Sequence, residues 1–107
     1  MDLSKKKCIP CEGGIAPLDE KEIAEYKKLI KDDWKVVKNN KLYKEYSFVN
    51  YKHTMHFVNN VANLAEEEGH HPDMCVYYGK VVIELTTHAV KGLSENDFIL
   101  AAKIDKL

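Results

Sequence analysis

The sequence predicts an α+β fold: a four-stranded antiparallel sheet with three helices packed on one face, in the order α-β-β-α-β-β-α. Three observations lead there. Two pairs of short β-forming runs are each joined by turn residues, apolar residues recur at helical spacing before, between and after those pairs, and capping residues open the first and third helical stretches. Hairpins that expose one apolar face need helices to cover it, which gives two layers.

Residues 1–17 read as an irregular leader, because Pro10, Gly13, Gly14 and Pro17 break any period. Asp19 with Glu22 three residues on resembles a capping box, and Ile23, Tyr26, Leu29 and Ile30 then share a face, so a first helix is expected over 20–31. Trp34, Val36 and Val37, then Leu42, Tyr43, Tyr46 and Phe48, flank Asn39-Asn40 as a hairpin. From Asn50 the period becomes helical through Met55, Val58, Val61, Ala62 and Ala65, and Gly69 stops a second helix expected over 51–68. Two further β-rich runs, 73–78 and 81–87, are separated by Gly79-Lys80, where glycine suits the first central position of a type II′ turn. Ser94 with Asp97 resembles a second capping box, opening a third helix through Phe98, Ile99, Ala101, Ala102 and Ile104.

Length and composition narrow the function classes. A chain of 107 residues is expected to form one domain, 1–107, burying roughly 65% of its unfolded surface. Sixteen basic against seventeen acidic residues leave a net charge of -1, which gives no footprint for nucleic acid or an anionic membrane. The Lys5-Lys6-Lys7 run reads as a solvated tail. No stretch reaches the roughly 20 apolar residues of a membrane helix, the start lacks a signal peptide's apolar region, and three cysteines do not make a disulfide framework. A cytoplasmic location is therefore expected. Cys8 and Cys11 form a C-x-x-C without two further zinc ligands, and read as structural or incidental thiols.

The chemistry is expected where Glu66, His70, His71, Pro72, Tyr78, His88 and Asp97 fall within 32 residues. Imidazole titrates near neutrality, so histidines grouped with carboxylates suggest proton transfer. A two-residue turn at 79 and 80 would set His71 opposite His88 at the open end of the hairpin, with Cβ atoms roughly 5 Å apart, and His70 would enter from the end of the second helix, near Glu66. Two histidines facing each other could hold a metal, but no zinc-type spacing or 2-His-1-carboxylate pattern accompanies them. His53 and His56, at i, i+3, lack a third ligand and read as solvated. A nucleophilic triad fits less well, because Cys75 falls mid-strand and no serine has nucleophile-elbow glycines. Acid/base catalysis with no metal and no cofactor needs only the groups present. Each group also has a plainer reading: Asp97 as a helix cap, Glu66 as a surface residue, Tyr78 as a cross-strand packing residue.

The ordered set Glu66, His70-His71-Pro72, Tyr78, His88 and Asp97, together with Phe48, Tyr51, Phe57, Val61, Ala62, Ala65 and Gly92-Leu93-Ser94, resembles the signature of the pterin-4a-carbinolamine dehydratases. The resemblance implies a four-stranded antiparallel sheet backed by three helices, and dehydration of 4a-hydroxytetrahydropterin to quinonoid dihydropterin in recycling a cofactor of aromatic amino acid hydroxylases. It implies His70 and His88 as acid/base groups, His71 as a pterin-holding residue, Asp97 as the group that orients a histidine, and Glu66 as support for His70. Pro72, Thr86 and Thr87 are implied as pterin contacts. The sequence departs from many relatives at Gly69, Met74 and Asn96, where they carry an acidic residue, tryptophan and arginine. A homodimer or homotetramer is implied, with an aromatic amino acid hydroxylase as functional partner; the alternative from another class is a non-enzymatic module that stabilises dimers of a transcription factor.

Overall fold

Asp19 caps the first helix as its spacing suggests: its carboxylate accepts from the Glu22 N–H at 2.8 Å while Glu22 accepts from the Asp19 N–H at 3.0 Å. The computed structural model describes residues 1–10 and 13–107, so Cys11 of the C-x-x-C lies outside the described residues. Helix α1 spans Glu20–Lys27, shorter than expected. Its end tightens into i→i−3 bonds, from Leu29 N–H to Tyr26 O and from Ile30 N–H to Lys27 O. That turn redirects the chain so that Ile30 and Trp34 are both buried.

Strands β1 (Lys35–Val37) and β2 (Lys41–Ser47) form the first hairpin, with Lys38 and Asn39 in the left-handed region. Helix α2 (Tyr51–Glu68) occupies the expected residues, capped by the Asn50 side chain on the His53 N–H and ended by Gly69 at φ 65°. Strands β3 (Asp73–Tyr77) and β4 (Lys80–Leu85) form the second hairpin, and α3 (Glu95–Ile104) follows. All pairings are antiparallel, in the order β1-β2-β4-β3. The expected four-stranded, three-helix architecture is therefore the one observed. None of the described helices is long and apolar enough to cross a membrane.

Alternation on the central strands explains the layering. Leu42 of β2 and Val81, Ile83 and Leu85 of β4 point to one face and are fully buried, where they cluster with Val61 of α2 and Phe98, Ile99 and Leu100 of α3. Lys44 lies in phase with that buried side, and its charge is compensated: Nζ is 2.7 Å from Asp105 Oδ1 and 2.9 Å from Asp33 Oδ1. Asp105 also accepts from Trp34 Nε1 at 2.7 Å and from the Tyr46 hydroxyl at 2.6 Å. The cluster ties the end of α3 to β2.

Several expectations need correction. The leader is not irregular throughout: Asp2 accepts from the Ser4 N–H, residues Leu3–Lys5 form a 3-10 turn, and Leu3 is buried in the core. Lys6 is not free in solvent, since it pairs with Glu95 at 2.8 Å.

The second hairpin turns on Tyr78-Gly79 rather than Gly79-Lys80, because Tyr77 pairs with Lys80. Gly79 is not in the left-handed region that a type II′ turn would require. Its lack of a side chain serves close approach instead, since a Cβ there would lie 2.9 Å from the Phe48 carbonyl oxygen, and Phe48 N–H donates to Gly79 O at 2.8 Å. With Asp73 facing Glu84, the same register continued toward the open end sets Thr86, and not His88, opposite His71. Strand β4 also stops at Leu85, two residues early, as Thr86 and Thr87 turn their hydrogen bonds to other partners.

Candidate active site

Gly69 starts the site by bending the chain sharply off α2: both its N–H and that of His70 bond to Ala65 O. This brings the half-buried His70 over the first turn of α3, where its Nε2 lies 2.6 Å from Asp97 Oδ1. Asp97 is fully buried. Its other oxygen, Oδ2, accepts from the Thr87 hydroxyl at 2.7 Å and from the Ser94 N–H at 3.0 Å, the latter being half of the capping box that opens α3. With two donors already on Oδ2, the carboxylate receives the Nε2–H of His70 on Oδ1 as a third. The proton therefore sits on Nε2, and Nδ1 is the ring nitrogen left to meet a ligand.

The segment after β4 supplies the opposite wall. Thr87 and Gly92 exchange backbone bonds of 2.8 and 3.3 Å, closing a short loop. On that loop His88–Val90 form a 3-10 turn anchored by buried Val90, which leaves His88 exposed. The Thr86 hydroxyl donates to Asn40 O at 2.6 Å, while that of Thr87 lies 2.8 Å from Ser94 Oγ. A cleft of about 270 Å³ results, lined by His70, His71, Thr86, Thr87 and His88. Gly69, Ala89, Ile9 and Asn96 complete its walls.

The structure thus brings His70, His71, His88, Thr86 and Thr87 to one cleft, with Asp97 behind His70. Glu66 is placed differently from expectation. It pairs with His71 Nε2, not with His70, and both partners are largely exposed at the rim. His70 enters from the αL bend and points to α3, so the side chain that returns toward the last turn of α2 is its neighbour. Pro72 directs the chain into β3 but does not line the cleft. Tyr78 sits in the turn at the far end of the hairpin, stacked on Tyr51 at 6.2 Å between ring centres.

Ile9 and Asn96 were not singled out by the sequence as site residues. Asn96 is buried and clamps the leader: its Nδ2 donates to Ile9 O at 2.5 Å and its Oδ1 accepts from the Ile9 N–H at 3.0 Å. Beside it, the Cys8 N–H donates to Glu68 at 2.9 Å. Burial, followed by the negative charge of Glu68, pushes the Cys8 thiol up to about 12. Asparagine at the second position of a helix carries no local signal for this contact, because its partner is 87 residues away.

Among the described residues no group of three or more His, Cys, Asp or Glu side chains is arranged to hold a metal ion. Imidazoles, hydroxyls and one buried carboxylate around a small open cleft suit proton transfer to and from a polar ligand.

Comparison with known proteins agrees with this fold. A Rickettsia bellii relative that bears the pterin-4-alpha-carbinolamine dehydratase name is 49% identical over 98% of this chain and 93% of its own length. A Nitrosospira multiformis relative of the same name is 51% identical over 99% of this chain and 92% of its own. Among solved structures, a protein from Brucella melitensis described as a transcriptional coactivator/pterin dehydratase superposes with a TM-score of 0.77 at 27% identity, covering 84% of this chain and 96% of that one. A pterin dehydratase-like protein described as a RuBisCO assembly factor in the alpha-carboxysome gives 0.60 at 29% identity, over 69% and 87%. The family model described as pterin 4 alpha carbinolamine dehydratase matches residues 16–107, and the chain belongs to that family.

Proposed function

We propose that this chain, as a single domain, is a hydro-lyase that dehydrates 4a-hydroxytetrahydropterin to quinonoid dihydropterin without a metal or cofactor. The observation that carries the reading is the His70–Asp97 pair, its carboxylate buried and its ring presented to a cleft that also holds His71 and His88. In the reaction the C4a–O bond breaks and a C4a=N5 double bond forms. A general acid delivers a proton to the departing hydroxyl, which leaves as water, and a general base takes the proton from N5. His70 and His88, on opposite walls, serve as these two groups, and exchange with solvent restores both. Each well-placed group contributes roughly 10²- to 10⁴-fold. Asp97 fixes the tautomer of His70 and places a negative charge beside the imidazolium that forms when Nδ1 takes a proton. His71, oriented by Glu66, holds the pterin, with Thr86 and Thr87 as polar contacts. The product would return to a tetrahydropterin-dependent aromatic amino acid hydroxylase in the cytoplasm, and the enzyme would act as a homodimer or homotetramer.

The test is carbinolamine dehydration by purified, chelator-treated protein. Turnover that survives chelation and falls at least 10²-fold in both His70→Ala and His88→Ala supports the proposal. Undiminished turnover in both variants sinks the mechanism, and activity restored only by added metal sinks its metal-free form. A second reading, as a protein-interaction module, draws on the structural neighbour described as an assembly factor. It prevails if the protein captures a partner and turns over no pterin.

A further inference from the structure

The cleft's polar lining leaves one feature unexplained. Ile9 lines it as a large aliphatic side chain and is 67% exposed. An exposed isoleucine on a leader would ordinarily be free to move, yet here its backbone is gripped on both polar groups by buried Asn96, at 2.5 and 3.0 Å. The flanking chain is fixed as well, by the Cys8 N–H on Glu68, by Lys6 on Glu95, and further on by the Leu18 N–H on Leu93 O at 2.8 Å. Such anchoring is strong for a segment outside regular structure. It holds an apolar surface steady beside His70 and His88, where a polar ligand alone would gain nothing from it.

We propose that Ile9 is a substrate-contacting residue, the platform against which one face of a planar bicyclic pterin ring packs, and that Asn96 is a positioning residue acting through it. The inference deepens the dehydratase reading and rests on it for the ligand class. A flat heteroaromatic ring has polar edges and two apolar faces. The histidines and threonines address the edges and the reacting carbon, and an aliphatic wall shields a face from water. Because packing on the ring is made equally in ground and transition states, the contact sets KM and leaves kcat alone.

The test compares Ile9→Ala, Ile9→Val, Asn96→Ala and the Ile9→Ala/Asn96→Ala double variant in the full chain, by carbinolamine turnover and by calorimetric titration with 7,8-dihydrobiopterin, which lacks the leaving hydroxyl. Loss of the aliphatic contact should raise KM and the dihydropterin Kd about tenfold in Ile9→Ala, with kcat within about twofold and Ile9→Val near the unmodified value. Asn96→Ala should match Ile9→Ala, and the double variant should be no worse than either. In a Cys11→Ser/Cys75→Ser background, Asn96→Ala should also speed alkylation of Cys8 about tenfold or more, reporting release of the leader. Ile9→Ala with KM and Kd unchanged overturns the proposal, as does a loss confined to kcat or no pterin binding by the unmodified protein. Multiplying losses in the double variant overturn the positioning role of Asn96. Ile9 is too exposed for its truncation to threaten folding, so that variant decides even if Asn96→Ala is unstable. Absent turnover in the unmodified protein would instead refute the dehydratase reading, and calorimetry alone would then judge Ile9.

Discussion

Replacing Asp97 with asparagine separates two jobs that one carboxylate performs. Asp97→Ala would strip the acceptor from three donors at once, the Thr87 hydroxyl at 2.7 Å, the Ser94 N–H at 3.0 Å and the His70 Nε2–H at 2.6 Å. At about 1 kcal/mol per donor left unpaired, the cost is roughly 3–4 kcal/mol, or about 15–25 °C in Tm for a chain of this size. Any loss of activity would then be confounded with loss of structure. Asparagine keeps the shape and one oxygen, which stays with Thr87 and Ser94. Only the charge at the helix start is lost, worth about 1 kcal/mol and close to 5 °C.

The effect on chemistry is opposite in size. The amide NH2 now faces His70 and donates to Nε2, so the ring proton moves to Nδ1 and the lone pair on the cleft side disappears. A tautomer inverted in this way should lower kcat by about 10²- to 10⁴-fold. Circular dichroism melting and a stopped-flow dehydration assay measure the two effects side by side. In the Asp97→Asn/His70→Ala double variant kcat should equal that of His70→Ala, because the aspartate acts through the histidine. The reasoning is refuted if Asp97→Asn keeps more than about half of kcat at a native-like Tm, or if the two losses multiply.

Two further outcomes bear on the scaffold. Lys44→Met removes a buried cation paired with Asp105 and leaves that carboxylate with only neutral donors, so urea denaturation should show a loss of about 3 kcal/mol; a change under 1 kcal/mol would contradict the pairing. The Cys8 thiol is held protonated in the fold up to about 12, against an ordinary value of 9.0. Its folded value is the higher one, so its contribution to stability is whole below pH 9 and lost as pH rises toward 12. Cys8→Ala should flatten that part of the stability profile, and an unchanged slope would refute the assignment.

Local signals marked most of the scaffold, and long-range ones were hidden. Asp19 with Glu22, Ser94 with Asp97, and Asn50 to Gly69 each act within a few residues of themselves, and the helix starts and the whole of α2 followed from them. The register of the second hairpin did not. It depends on Gly79 passing under the Phe48 carbonyl, a contact across 31 positions that gives glycine a steric reason instead of a conformational one. A shift of two residues in pairing was enough to move His88 off the position facing His71 and onto a 3-10 turn. Leu3 and Asn96 were obscure for the same reason, since each finds its partner across most of the chain.

The histidines nonetheless converge although the predicted ladder that was to join them does not exist. Convergence comes from α3. Its first turn presents Asp97 inward, and that carboxylate collects Ser94 from its own cap, Thr87 from the end of β4 and His70 from the bend after α2. Asn96, one residue earlier on the same turn, collects the leader. One helix N-terminus therefore gathers three segments remote in sequence, and the aspartate that caps the helix is the same group that orients the histidine. Spacing between Ser94 and Asp97 is consequently constrained twice, by helix geometry and by the position of the His70 ring. A glutamate at residue 97 would still complete a capping box, yet its extra methylene, with no space at a fully buried position, would displace His70 by about 1 Å. Asp97→Glu should accordingly keep much of the helix cap and lose turnover, an outcome that a purely structural role for Asp97 does not produce.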